Sequence, residues 1–255
     1  ITHVDGSVDP VRDKGIIDTE LQLKDLETVE SRLAKTQKQA TSGGDKNAKH
    51  TVELLLQYKA VLEQGRSART VELDKEDRKL VADLNLLTDK PVLYVCNVDE
   101  RSAATGNAYT EAVRAAIADE RAEMLVIAAA TEADIAELEE YDERQMFLEE
   151  IGLQESGVAR LIKSAYKLLD LQTFFTTGAD ETRAWTFRKG MKAPQTAGII
   201  HTDFEKGFIR AEVIKYDDYV TLGSEKACRD VGKIGIEGKE YVVQDGDIMH
   251  FLFNV

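Results

Sequence analysis

A chain of 255 residues, 43% hydrophobic and 31% charged, can bury one large core or two smaller ones. Its formal charge of −14 excludes a protein that coats itself in nucleic acid through overall electrostatics, so any RNA contact must be local. No apolar run of about 18 residues is present to span a bilayer, and the opening Ile-Thr-His-Val-Asp-Gly lacks a signal-peptide pattern; no membrane partner and a cytoplasmic location are expected.

In chain order, His3 to Pro10 reads as the end of a strand and a turn, punctuated by Gly6 and Pro10. From Ile16, Leu23, Leu26, Val29 and Leu33 recur at helical spacing, and Thr41 to Asp45 breaks the pattern. A second amphipathic stretch carries Val52, Leu55, Tyr58 and Leu62 and stops at Gly65, which suits a helix C-terminus. The pair predicts an antiparallel helical hairpin. Asp74 is placed to cap a third helix bearing Leu80, Val81, Leu84 and Leu87.

Pro91-Val-Leu-Tyr-Val-Cys96 is a short β-rich apolar run of the kind buried in a parallel sheet, followed at once by Asn97-Val98-Asp99-Glu100. A helix over Asn107 to Glu123 and a second strand at Met124 to Ala128 complete a parallel crossover. Ligands of such sheets sit at the C-terminal strand ends, which puts residues 97–100 and 128–130 on one rim. Helices are expected over Glu132 to Glu150 and Val158 to Asp170. Beyond Leu171 the texture changes to short strand-like runs at Thr173 to Thr176, Ala197 to His201, Phe208 to Val213 and Ile248 to Phe253, a separate small domain. Residues 171–255 carry 11 Lys/Arg and 13 Asp/Glu, close to neutral, which makes this third the better candidate for touching phosphate.

Cys96 and Cys228 lie far apart with no second ligand at metal spacing and read as packing residues. The four histidines, His3, His50, His201 and His250, have no paired nucleophile or metal partner at a recognisable spacing and read as structural or solvent-facing. No metal ligands and no catalytic residues are assigned in this chain.

Several stretches, in this order, resemble the YchF / Obg-like ATPase family along essentially the whole chain. They are His3-Val-Asp-Gly-Ser-Val-Asp-Pro-Val-Arg12, Asp18-Thr-Glu-Leu21, Asp25-Leu-Glu-Thr-Val-Glu30, the Asn-x-x-Glu element at Asn97, and the closing Thr173-Phe-Phe-Thr-Thr-Gly178, Glu181-Thr-Arg-Ala-Trp185, Ala193-Pro-Gln-Thr-Ala-Gly198, His201-Thr-Asp-Phe-Glu-Lys-Gly-Phe208 and Gln244-Asp-Gly-Asp247. The resemblance implies an α/β fold. A partial P-loop NTPase parallel sheet, residues 1–22 and 86–170, would be interrupted by a helical hairpin at 23–85. A ubiquitin-like β-grasp module, the TGS domain, would occupy 171–255. The family's Gly-rich phosphate loop has no counterpart here: G-x-x-x-x-G-K-[ST] does not occur in the sequence.

Hydrolysis of ATP, with GTP as a second substrate, is therefore the implied activity of the complete protein, with Mg2+ as cofactor held by residues outside this sequence. Guanine-specific GTPases read the base with Asn-Lys-x-Asp; here Val98 stands at the Lys position and Glu100 at the Asp position, which should relax guanine discrimination. By resemblance, Asn97 holds the base edge, Val98 packs against it, Glu100 shapes the pocket, and Ala128, Ala129 and Ala130 form the second wall through backbone N–H groups. Taken without the resemblance, residues 97–100 read as an ordinary polar loop and the alanines as the end of a tightly packed strand. The family further implies a ribosome or RNA partner in translation or stress regulation, with Arg188, Lys189, Lys192, Lys206, Arg210 and Lys215 as the basic candidates; a solvated mixed-charge surface is the plain alternative. A non-catalytic ribosome- or RNA-binding module is the competing function, and a monomer is expected.

Overall fold

The structure, a computed structural model, describes residues 6–43, 46–120, 122–178 and 181–254. The chain divides into two compact units, residues 1–161 and 162–255.

In the first unit, α1 (Pro10–Gly43) is one continuous 34-residue helix. It begins six residues before the expected Ile16, because Pro10 fits the first helical turn and Asp9 caps it, accepting the Arg12 N–H at 3.0 Å. The strand end expected from His3 falls mostly on residues 1–5, outside the described residues. The helix also runs through Thr41 and Ser42, where a break was expected. It pairs with α2 (Lys46–Glu63) through Val29, Leu33, Leu54, Leu55, Tyr58 and Leu62, all buried. Gly65, at φ +67°, ends the hairpin by donating its N–H to Leu62 O, in the left-handed conformation that glycine adopts without strain.

Asp74 caps α3 (Lys75–Val81) by accepting the N–H groups of Glu76 and Asp77. Leu84 and Leu87 lie beyond this helix, since a short 3-10 turn at Ala82–Leu84 and a left-handed Asn85 redirect the chain. The carboxylate of Asp25, on α1, is buried and accepts the N–H groups of Leu87 and Thr88 and the Thr88 hydroxyl, each at 2.7 Å.

The strands β1 (Leu93–Asn97) and β2 (Glu123–Ile127) pair in parallel, with Leu93 opposite Glu123 and Asn97 opposite Ile127. Between them lies α4 (Ala108–Ala116), capped by Asn107 with a reciprocal Thr110 hydroxyl. The helix expected to reach Glu123 stops at Ala116. Ile117 leaves helical geometry (φ −105°, ψ 7°), and the turn that follows carries Glu120 to within hydrogen-bond reach of Lys14, Arg69 and Tyr94. The single helix expected over Glu132 to Glu150 is two, α5 (Ala129–Glu137) and α6 (Tyr141–Glu150), split where Leu138 becomes extended. The amphipathic α7 (Gly157–Leu168) then leads to the second unit.

There β3 (Leu171–Thr177) and β4 (Thr182–Arg188) form an antiparallel pair, followed by α8 (Ala193–Ile200), α9 (Thr202–Lys206), β5 (Phe208–Lys215), α10 (Tyr216–Leu222), α11 (Glu225–Asp230), β6 (Ile234–Glu237) and β7 (Asp247–Phe253). The sheet order is β4-β3-β7-β5-β6, with β7 parallel to β3 and antiparallel to β5. Its core gathers Phe174, Phe187, Ala193, Ala197, Met249 and Phe251. Ala197 to His201, read from sequence as a strand, belongs to α8 and its C-terminal cap. The four apolar residues carry no period of their own. Ala193, Thr196 and Ala197 instead bury one helical face, and the Gln195 side chain accepts the Lys192 N–H to fix the start.

Candidate nucleotide-base site

The parallel pairing of β1 with β2 brings the two sequence elements together at one rim. Asn97 is the last residue of β1, opposite the last residue of β2, and its Oδ1 accepts the Ala129 N–H at 3.0 Å. One oxygen thus ties the Asn97 loop to the first turn of α5, on a side chain that is exposed. Val98 donates its N–H to Ile127 O at 2.9 Å and packs its side chain against a small core of Ala103, Ala128, Ile135, Leu148 and Leu153. Asp99 caps the 3-10 turn Glu100–Ser102, accepting the Ser102 N–H at 3.0 Å, so the Glu100 carboxylate stands on a fixed, exposed turn. Ala128 is buried at the N-cap of α5, whereas Ala129 and Ala130 are exposed.

All six candidate base-site residues therefore lie at the C-terminal end of one two-stranded sheet. Asp99 was read from sequence only as part of the polar cluster; its position just before a turn, with Ser102 three residues on, is the signal of a cap.

A cavity of about 470 Å³ opens beside this rim, walled by Pro10, Tyr94, Val98, Tyr109 and Val113 and floored by Cys96. Burial raises the pKa of the Cys96 thiol, with Arg114 opposing weakly. Near the far end of β1 lies a charge cluster that no sequence motif marked: Glu120 accepts from Lys14 at 2.6 Å, from the Tyr94 hydroxyl at 2.9 Å and from Arg69 at 3.2 Å. Burial disfavours the Lys14 ammonium, but its hydrogen bonds to Asp18 and Glu120 outweigh that and raise its pKa. Burial likewise pushes Glu120 upward, and its hydrogen bonds from Lys14 and Tyr94 carry the net shift downward. The cluster ties α1 and the segment after α2 to β1.

The six basic candidates of the second unit do not form one patch. Lys215 and Phe208 end β5, and Arg188 pairs with Leu171 at the start of β3; this sets Arg188, Lys189, Lys192 and Lys215 at one end of the sheet and Lys206 and Arg210 toward the other. Lys192 is paired with Glu240, and Lys215 with the buried Asp247 at 2.6 Å. Arg188, Lys189, Lys206 and Arg210 are exposed and have no acidic partner among the described residues. His201 caps α9 through Nδ1, which accepts the Asp203 N–H, and His250 is exposed on β7; neither belongs to a metal-ligating group.

Among the described residues no group of three or more His, Cys, Asp and Glu could hold a metal ion. No helix there is long and apolar enough to cross a membrane.

Comparison with known proteins matches residues 171–254 to the family YchF-GTPase_C, described as a protein of unknown function (DUF933). The chain is 52% identical over 257 residues to the ribosome-binding ATPase YchF of Bacillus subtilis, covering all of this chain and 70% of the relative. It is 44% identical over 260 residues to Obg-like ATPase 1 of Rattus norvegicus, covering all of this chain and 65% of that protein. The structure of the Schizosaccharomyces pombe YchF GTPase superposes with a TM-score of 0.86 at 35% identity, over 99% of this chain and 68% of that one. With the α/β architecture, the parallel pair and the Asn-x-x-Glu rim in place, these similarities establish that the chain belongs to the YchF / Obg-like ATPase family.

Proposed function

We propose that this chain supplies the base-binding half and the partner-binding parts of a ribosome-associated nucleotide hydrolase that acts on ATP and, less selectively, on GTP. The observation that carries the reading is the Asn97 Oδ1 to Ala129 N–H hydrogen bond. It locks together the two elements that would flank a base and leaves the amide nitrogen of the exposed Asn97 to serve as a donor. In the proposed complex Asn97 donates to a ring acceptor, Val98 and the Ala128–Ala130 backbone wall the base, and Glu100 accepts from an exocyclic amine. An amine donor suits adenine, and the same carboxylate tolerates guanine, which matches the relaxed discrimination expected when the acceptor is moved by one methylene.

Phosphoryl transfer needs a phosphate cradle, Mg2+ and a positioned water, and we assign these to residues outside this sequence. Two features support that assignment. A two-stranded parallel sheet is below the size that usually stands alone, and Val95 on β1 is half exposed, as for a strand awaiting a neighbour. The chain also spans 70% of its Bacillus subtilis relative, which leaves room for further strands there. On this reading residues 1–22 and 86–170 belong to the nucleotide-binding domain, residues 23–85 form the inserted hairpin, and the whole works as a cytoplasmic monomer.

The second unit is proposed to be a TGS-type β-grasp module. Its support is the strand order, in which the last strand lies between the first hairpin and β5, parallel to one neighbour and antiparallel to the other. Ribosome binding comes from the names of the relatives, and the unpaired Arg188 and Lys189 are the basic residues we assign to it.

Titration of the protein with fluorescent ATP and GTP, at its intact length and as the 255-residue chain, tests the base site. Asn97→Ala should weaken both nucleotides about 10-fold or more, in line with losing a specific hydrogen bond in a polar-edge site, and, because the Ala129 N–H loses its acceptor, should lower the melting temperature by about 2–4 °C. Unchanged affinity in Asn97→Ala, with binding retained by the parent, removes the proposed site. Hydrolysis by the 255-residue chain alone would overturn the assignment of the phosphate machinery elsewhere.

A further inference from the structure

The distal end of the helical hairpin has a charge opposite to that of the protein. Residues 34–50 contain four lysines, Lys35, Lys38, Lys46 and Lys49, together with His50, against one acidic residue, Asp45, in a chain of net charge −14. Thr36 on α1 and Ala48 on α2 are the last buried positions of the hairpin among the described residues and Ala40 is half-buried, so the two helices pair close to the tip and hold Lys35, Lys38, Lys46 and Lys49, all exposed, on a fixed helical frame.

Helix electrostatics does not explain the lysines that open α2. The first turn of α2 carries Lys46 and Lys49 and no acidic residue, whereas a helix N-terminus is stabilised by negative charge. Placing cations there is locally unfavourable and raises the positive potential of the tip.

We propose that this tip is a binding surface for the phosphate backbone of structured RNA, with Lys35, Lys38, Lys46 and Lys49 as the phosphate contacts. The composition favours RNA over an acidic protein. Protein interfaces draw their energy from buried aromatic and Arg anchors, and residues 34–50 contain neither. Exposed lysine point charges accompanied by a neutral donor, here the exposed Gln37, are what a backbone-contacting surface requires. The contact is sequence-independent and strongly salt-dependent. This inference rests on the reading that the protein binds ribosomes and names the element that touches their RNA.

The test compares the full chain with a variant carrying Lys35→Gln, Lys38→Gln, Lys46→Gln and Lys49→Gln, by ribosome co-sedimentation and by binding to a labelled RNA hairpin across a salt series. The substituted side chains are exposed and make no core contact, and circular dichroism checks that the variant is folded. The expected result is roughly 10-fold or greater weakening for both targets and a fall of about 3 in the slope of log affinity against log salt. A photoreactive side chain at Gln37 should crosslink to RNA. Unchanged affinity and slope in a folded variant overturns the proposal, as does crosslinking to protein alone. If the parent fails to sediment with ribosomes but binds the hairpin through the four lysines, the ribosome reading falls and the RNA surface stands. If the parent binds neither target, both fall.

Discussion

Asp25 and Thr88 meet through two hydrogen bonds of 2.7 Å, one from the Thr88 N–H and one from its hydroxyl, with the carboxylate 2% exposed. A third bond from the Leu87 N–H completes the shell, and the Thr88 hydroxyl oxygen accepts in turn from the Ala68 N–H at 2.9 Å. Charged acceptors with several donors are the strong hydrogen bonds of a protein interior. Asp25→Ala strands two backbone donors and a hydroxyl in a buried site and should lower unfolding free energy by about 2–4 kcal/mol. Thr88→Val, which keeps the backbone bond, should cost about half as much. Urea melts of both variants measure this, and a Thr88→Val variant as stable as the parent would mean that the hydroxyl carries nothing.

Lys215 and Lys192, two of the six basic residues first read as RNA contacts, have structural partners, and this separates them from Arg188 and Lys189. Asp247 is fully buried, and besides Lys215 it accepts from the Tyr241 hydroxyl at 2.7 Å and the Gln244 N–H at 2.9 Å. Lys215→Gln should destabilise the protein by about 1–2 kcal/mol, a value reduced because solvent reaches the ammonium. It should leave the salt dependence of ribosome binding unchanged. Arg188→Gln with Lys189→Gln should do the reverse, keeping the melting temperature and lowering the salt slope by up to about 2. A destabilised Lys215→Gln that also flattens the salt slope would return Lys215 to the contact surface.

Base selectivity should follow the two positions that depart from Asn-Lys-x-Asp. Val98→Lys together with Glu100→Asp restores the long stem and the shorter carboxylate on the turn that Asp99 caps. The ratio of GTP to ATP affinity is expected to rise about 10-fold, read by competition titration. Because Val98 also packs against Ala128 and Leu148, the double variant should lose about 1 kcal/mol of stability. No change in the ratio would show that Glu100 does not face the base.

His50 gives the hairpin a pH dependence. Its Nε2 lies 2.6 Å from Asp77 and its Nδ1 3.3 Å from Glu53. The hydrogen bond to Asp77, then that to Glu53, raises the imidazole pKa above its usual value. A raised histidine contributes stability that is fully present below the unfolded pKa of about 6.5 and is lost as pH rises through the folded pKa. The contact between α2 and α3 should therefore protect better from hydrogen exchange near pH 6 than near pH 8. Asp77→Asn should bring the His50 titration, followed by NMR, back down; a titration unmoved by that change would assign the shift elsewhere.

Local signals were legible where the physics is local. Asp74 before a helical run, Gly65 after one, and the apolar runs at β1 and β2 all fold as their residue types dictate. The Asn97 rim was legible because a parallel crossover places both strand ends on one side. What escaped depends on distant partners. Nothing near Ala116 announces that the helix must end early; it ends where Glu120 meets Lys14 and Arg69, residues 106 and 51 positions away in sequence. The α8 segment was misread because Ala-Gly-Ile-Ile lacks a period, although Gln195 three residues after Lys192 marked a helix start. The six cations looked like a cluster in sequence, and only the eight-residue length of β5 reveals that they sit toward two ends.

The sheet order of the second unit has a consequence for how it is made. The last strand of the unit in chain order, Asp247 to Phe253, is the middle strand in space, and without it β3 and β4 share no neighbour with β5 and β6. On a translating ribosome the two earlier halves must wait, with Phe174, Phe187 and Phe208 unburied, until the seventh strand clears the exit tunnel. A premature stop before Asp247 would release two hairpin-like halves with exposed edges, prone to pair with other chains.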